Sequence, residues 1–168
     1  VYTTDWMPDS NHLKYAVKSQ GGWETEFIDD SNSALATYSS IGISGSGKPV
    51  VSFFSNNTSK VMYAERDDAT WQIETLDNRE NAGSGTDMIM TTQGMARVIY
   101  SDHENQDFII ASETSNDWDY QRPLTNGRKG EFKSMALDNL NRVHIAYSGG
   151  GDEALKYAFV NENGWQIE

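Results

Sequence analysis

ALKYAFVNENGWQIE closes the sequence from Ala154 to Glu168, and HLKYAVKSQGGWETE stands near its start from His12 to Glu26. Both carry Leu-Lys-Tyr-Ala, then a polar turn, then a Trp. Working outward, Trp falls at 23, 71, 118 and 165, in steps of 48, 47 and 47. Leu13, Val61, Phe108 and Leu155 keep these steps, as do Ala16, Ala64, Ala111 and Ala158. Val1, Pro49, Ala96 and Val143 keep them again. Chance can copy a short phrase, but a shared register across separate markers is the mark of an internal repeat.

Each unit reads as short strands broken by Gly, Asn and Asp clusters. The last is the cleanest: SMALD (134–138), VHIAYS (143–148), LKYAFV (155–160) and WQIE (165–168). Unit two reads SSIGIS, PVVSFF, KVMYAER and WQIETLD; unit three reads GTDMIMT, ARVIYS, DFIIAS and WDYQ. Nothing has the 3.6-residue period of a long helix. Pro49 opens its strand, where a missing N–H is tolerated. Tandem four-stranded units of this length predict an all-β fold, a β-propeller of four-stranded antiparallel blades with a 47-residue repeat. One such sheet cannot bury both faces alone, so neighbours must stack. The recurring Trp and Tyr then fill one inter-blade slot again and again.

About four blades are expected within a single domain spanning 1–168, at roughly 1–31, 37–77, 84–124 and 131–168. Val1 aligns with Val143, which starts a second strand, so the first blade is expected to lack its innermost strand. An open array would leave exposed sheet edges, which proteins avoid. Either the ring closes as four blades, or a second chain or further residues complete it, with a homo-oligomer as one way to do so.

The chain has 168 residues, enough for one domain with a core. Its hydrophobic fraction of 37% is low, but eight Tyr, six Phe and five Trp each bury much area. The net charge of −12 repels phosphates and anionic lipid, so neither nucleic acid nor membrane is expected as a partner. No apolar run approaches the roughly 18 residues of a membrane span. The absence of Cys excludes a disulfide framework and thiolate chemistry. No metal site or cofactor is expected, although the acidic surface is compatible with calcium.

DNLNRVHIAY from Asp138 to Tyr147, followed by LKYA and GW, resembles the D-x-x-G-x-x-H-I-x-Y … D-L-K-Y-A … W repeat of bacterial extracellular β-propellers, loosely akin to the BNR and sialidase-type families. The resemblance covers essentially the whole chain. Asn141 stands where the family has Gly, and only unit four keeps the Asp that opens the turn. The S-x-D-x-G-x-x-W box is missing, so a sialidase assignment gains nothing. The resemblance implies a propeller and an extracellular or cell-surface setting, and no single activity.

GISGSGKP (Gly42–Pro49) comes near the phosphate-binding loop, but Pro49 replaces the magnesium-binding hydroxyl and a strand follows instead of a helix. It is read as a turn. SDHENQD (Ser101–Asp107) is the densest polar cluster. It lies between second and third strands, where Asp102, His103 and Glu104 could hold a sugar or metal, or form a solvated acidic loop. The aligned loops share no ligand pattern, so a repeated metal site is not expected. Asp87 shares its repeat position with Ser40 and Ser134 on innermost strands, where polar groups order a ligand or simply line a channel. His144 shares its position with Arg97, Tyr2 and Val50, and also matches the family's structural His. Trp6 ends a second strand near the upper rim, placed to stack on a sugar or to fill the space of the absent strand.

No Ser/His/Asp arrangement is recognisable, and a pair of glycosidase carboxylates cannot be singled out among 25 acidic residues. The leading expectation is a non-enzymatic binding module that recognises carbohydrate or a protein surface through its upper loops. The alternatives are a fragment of a propeller glycoside hydrolase or polysaccharide lyase, and a structural repeat segment of a large surface protein.

Overall fold

The computed structural model describes residues 12–29, 36–79, 82–123, 133–148 and 154–168. Among them are fourteen strands and no helix. Sheet one pairs β1 (Lys14–Ser19) with β2 (Gly22–Phe27). Sheet two is β3 (Ala36–Ile43), β4 (Pro49–Ser55), β5 (Lys60–Asp67) and β6 (Thr70–Asp77). Sheet three is β7 (Asp87–Met90), β8 (Ala96–Asp102), β9 (Asp107–Glu113) and β10 (Trp118–Gln121). Sheet four is β11 (Lys133–Leu137), β12 (Val143–Ser148), β13 (Leu155–Asn161) and β14 (Gly164–Ile167). The last three are four-stranded antiparallel meanders, each strand paired with its sequence neighbour. The strand expected ahead of β1, with Trp6 and Tyr2, lies outside the described residues.

Local chemistry sets the strand ends. The turns into β2, β6 and β14 each place one residue at positive φ: Gly22 at 125°, Asp68 at 51° and Gly164 at 93°. Gly is free to adopt that region and Asp tolerates it. Gly42 to Pro49 forms a tight turn in which the Ser44 N–H donates to the Lys48 carbonyl, 2.8 Å, and the chain runs straight into β4. No helix follows, as a phosphate loop would require. β3 starts at Ala36, earlier than the expected SSIGIS. A register shift between Thr37 and Ser40, with Tyr38 at φ 53°, lets the strand continue across a bulge. The Tyr38 carbonyl freed by the bulge accepts the Thr86 hydroxyl of the next sheet.

Alternation gives each sheet two faces, and sequential sheets pack face to face. Leu13, Ile28 and Tyr15 of sheet one meet Val51, Phe53, Ala64 and Trp71 of sheet two. Val50, Val61, Tyr63 and Leu76 on the opposite face of sheet two meet Val98, Tyr100, Ile109, Ala111 and Trp118 of sheet three. Ile99, Phe108 and Ile110 then meet Met135, Ile145, Tyr147 and Trp165 of sheet four. One contact recurs. Tyr15 sits edge-on to Trp71 with centroids 5.5 Å apart, and Tyr63 edge-on to Trp118 at 5.0 Å. Such pairs contribute about 0.5–1.5 kcal/mol beyond their burial.

The first strands β3, β7 and β11 run side by side with β7 in the middle. Asp87 joins all three. Its Oδ1 accepts the Ser40 hydroxyl at 3.4 Å, and its Oδ2 accepts the Met135 N–H at 3.0 Å. At the opposite end of the sheets the turns touch through Gly45 N–H donating to the Gly94 carbonyl, 3.0 Å. Gly94 has φ +74°, and a Cβ there would run into the Gly45 backbone.

Candidate functional site

The ends of β6, β8 and β10 and the start of β9 meet at one rim between sheets two and three, and two carboxylates are buried there. Asp102 is 4% exposed because it closes the β8–β9 turn. Its Oδ1 accepts the N–H groups of Glu104 and Asn105, both at 3.1 Å. Its Oδ2 takes Asn105 Nδ2 at 3.0 Å, Arg122 at 2.7 Å and Arg79 at 3.4 Å. Asp77, equally buried, accepts the Arg79 N–H at 2.9 Å, two donors of the Arg79 guanidinium, and the Tyr100 hydroxyl at 2.8 Å.

A buried charge is tolerated only when paired and fully hydrogen-bonded, and both meet that condition. Burial alone would raise the Asp102 carboxyl, but Asn105 and Arg122 outweigh it and hold it down to about 2. Burial likewise opposes ionisation of Asp77, and Arg79 and Tyr100 overcome it. Tyr100 is pushed up by burial and by its bond to Asp77, so it stays a donor. Asp107 differs. It lies directly across from Asp102 in the β8–β9 ladder, its Oδ1 is buried without a hydrogen bond, and burial raises its carboxyl.

Asp77 and the two arginines line a cleft of about 740 Å³ whose walls also include Leu76, Ile109 and Tyr120. That volume suits a small ligand. Tyr120 is 47% exposed, and its hydroxyl donates to the Leu76 carbonyl at 2.7 Å, which pins a ring that solvent still reaches. The Arg79 and Arg122 side chains are 44% and 36% exposed. Asp77 and Asp102 hold the Arg79 guanidinium through all three of its nitrogens, and Asp102 holds Arg122 through Nη2. The cleft therefore offers an aromatic ring, two anchored guanidiniums and the apolar side chains of Leu76 and Ile109.

The structure brings Asp102, His103 and Glu104 into one turn but separates their roles. Asp102 points inward as described. His103 Nε2 lies 2.5 Å from the Ser84 hydroxyl, and Glu104 is exposed. Lys133 donates nearby to the Ser84 carbonyl and to the Ser101 hydroxyl. Asp87 is engaged between the inner strands. His144 stands on the face of sheet four turned away from sheet three, with Nδ1 2.5 Å from the Tyr157 hydroxyl and Nε2 3.6 Å from Asp138. Trp6 lies outside the described residues. Among the described residues no three His, Asp or Glu side chains gather as a metal would need.

Reading the sequence missed Asp77, Arg79, Tyr100, Tyr120 and Arg122. Asp77 ends the fourth strand of sheet two and Asp102 ends the second strand of sheet three, and only the packing of the two sheets brings them to the same Arg79. The arginines occupy no repeated position and left no trace in the repeat.

No family model matches the chain, and no curated protein matches it. Among solved structures, a GH43 beta 1,3 galactosidase superposes with TM-score 0.63 at 13% identity, over 95% of this chain and 40% of its own. A protein of unknown function from Dyadobacter fermentans DSM 18053 superposes with TM-score 0.69 at 12% identity, over 98% of this chain and 60% of its own. The chain thus spans 40% and 60% of these two proteins, and the likeness is one of fold: a β-propeller-like all-β architecture.

Proposed function

We propose that the chain is a non-enzymatic saccharide-binding segment of a β-propeller with blades of about 47 residues, acting outside the cell or at its surface. The ligand seats in the cleft between sheets two and three. The observation that carries this is the cleft wall itself: the Tyr120 ring supplies stacking, and Arg79 and Arg122 supply guanidiniums held by buried carboxylates. Asp77, the carboxylate in that wall, is saturated by hydrogen bonds and ionised, which suits bracing and not proton transfer.

The test is a glycan array carrying neutral and carboxylated glycans, read with and without a calcium chelator. Specific binding is expected, with at least about tenfold loss in Tyr120→Ala and Arg122→Ala, the order of one good contact. Binding is expected to survive the chelator. A blank array, or a hit indifferent to both substitutions, would remove the cleft from consideration.

A second reading, a propeller glycoside hydrolase fragment, draws on Asp107. Asp102 and Asp107 are adjacent carboxylates whose environments push them in opposite directions, the pattern of an acid beside a fixed anion. Release of sugar from arrayed or soluble glycans, abolished in Asp107→Asn, would favour this reading over simple binding.

A further inference from the structure

The contact between sheets one and two has a fixed composition. Glu26, on sheet one, accepts Trp71 Nε1 at 2.9 Å and Arg66 at 2.6 and 3.1 Å, while Tyr15 packs edge-on to the same Trp71. The next contact repeats its core: Glu74 accepts Trp118 Nε1 at 3.0 Å and Tyr63 packs edge-on to Trp118. Sheets one and two therefore each offer a Tyr and a Glu from one face to a Trp of the next sheet, whereas sheet three carries Ile110 and Gln121 at those positions.

Carrying these positions along the repeat gives the two outermost faces. Tyr15 and Tyr63 correspond to Tyr157, and Glu26 and Glu74 to Glu168, both on sheet four. Trp71 and Trp118 correspond to Trp23, and Arg66 to Lys18, both on sheet one. These are the halves left over. Trp23 is 70% exposed, and Leu155, the counterpart of buried Leu13, Val61 and Phe108, is 83% exposed. Tyr157, His144 and Phe159 form an aromatic stack on the same uncovered face. One end of the chain thus presents a carboxylate, a Tyr and an apolar surface. The other presents the indole and the cation that such a surface receives elsewhere in the molecule.

We propose that this chain binds a second copy of itself head to tail, with the sheet-four face of one copy against the sheet-one face of the next. Trp23 seats against Tyr157, and its Nε1–H and Lys18 both donate to Glu168. The charge pairing has the right sign, and the shape is one the fold already makes internally. Because the two surfaces differ, the interface is heterologous, and it either closes as a ring or runs on.

Light scattering on the purified chain, across its accessible concentration range, tests this. The expected result is a mass of at least twice 18.8 kDa, falling toward 18.8 kDa on dilution. Trp23→Ala and Tyr157→Ala should each remain at 18.8 kDa when alone, with unchanged circular dichroism. Mixed together they should form a dimer, because the first keeps its Tyr157 face and the second its Trp23 face. That rescue separates a head-to-tail contact from a symmetric one. A mass of 18.8 kDa at all concentrations would overturn the proposal, whether the chain stays open or closes on itself. So would association that persists in both single variants.

Discussion

At the scale of single residues, Asp102 and Asp107 should report opposite signs. Asp102 is held to about 2 in the folded chain, against about 3.9 when unfolded. A group depressed on folding contributes its stability above the unfolded value and loses it as pH falls through the folded one. The contribution is therefore complete above about pH 5 and fades between about pH 4 and 2; a tenfold change in an acid's ionisation constant corresponds to about 1.4 kcal/mol. Its arginine partners are partly exposed and screened, so about 1–2 kcal/mol is expected from this source. Asp102→Asn should cost at least that at pH 7, since Arg122 loses its anion, and urea unfolding across pH should show a flatter acid limb. Asp107 is raised by burial, so its charged form costs stability at neutral pH and the cost disappears in acid. Asp107→Asn should stabilise the chain at pH 7 and bring no gain at pH 3, measured by the same titration. The sequence pointed to Asp102 as part of a polar turn. It could not show the carboxylate turned inward, because the cations that draw it in sit 23 and 20 residues away, just past the ends of β6 and β10.

At the scale of elements, the repeated Trp positions should differ sharply in energy although the sequence makes them equivalent. Trp118 packs against Tyr63 and donates to Glu74, so Trp118→Ala removes aromatic burial, an edge contact and a hydrogen bond between sheets. A cost of about 2–4 kcal/mol is expected in denaturant unfolding, somewhat below a fully buried aromatic. Trp23→Ala, at a concentration where the chain is monomeric, should change stability by less than about 0.5 kcal/mol. Equal costs at both positions would contradict the packing described. Turn glycines should divide similarly. Gly47 has φ +81° and open space around a Cβ, so Gly47→Ala bears only the backbone cost of about 1–2 kcal/mol. Gly94→Ala adds a collision with the Gly45 backbone and should cost more, read as a larger fall in the urea midpoint. Strand identity was legible because alternation and turn residues are local signals. The bulge at Tyr38 was not, because its stabilising partner, Thr86, belongs to the next sheet. The repeat showed which residues are equivalent, and it could not show which equivalents lack a neighbour.

At the scale of the whole molecule, the sheets form a nearly one-dimensional stack in which each is stabilised by those beside it. Sheet three has both faces covered: its Val98 and Tyr100 pack on sheet two, and its Ile99 and Ile110 pack on sheet four. Among the described residues sheet four is covered on one face only, with Leu155 and Tyr157 exposed. Local opening follows the number of buried contacts that must be broken, so protection should not be uniform. Native-state hydrogen exchange should find the slowest amides in β8 and β9, where Ile99, Tyr100, Ile109 and Ile110 are all at most 1% exposed. The amides of β13 and β14 should exchange faster, and so should those of β1 and β2. This gradient also separates the effects of the molecule's own packing from those of association. If a second copy covers sheet four, raising the chain concentration should slow β13 and β14 while leaving β8 and β9 unchanged. In Trp23→Ala the end strands should stay fast at every concentration. A flat protection profile in the monomer would mean that the stack opens as one unit, and that the covered and uncovered sheets share a single cooperative free energy.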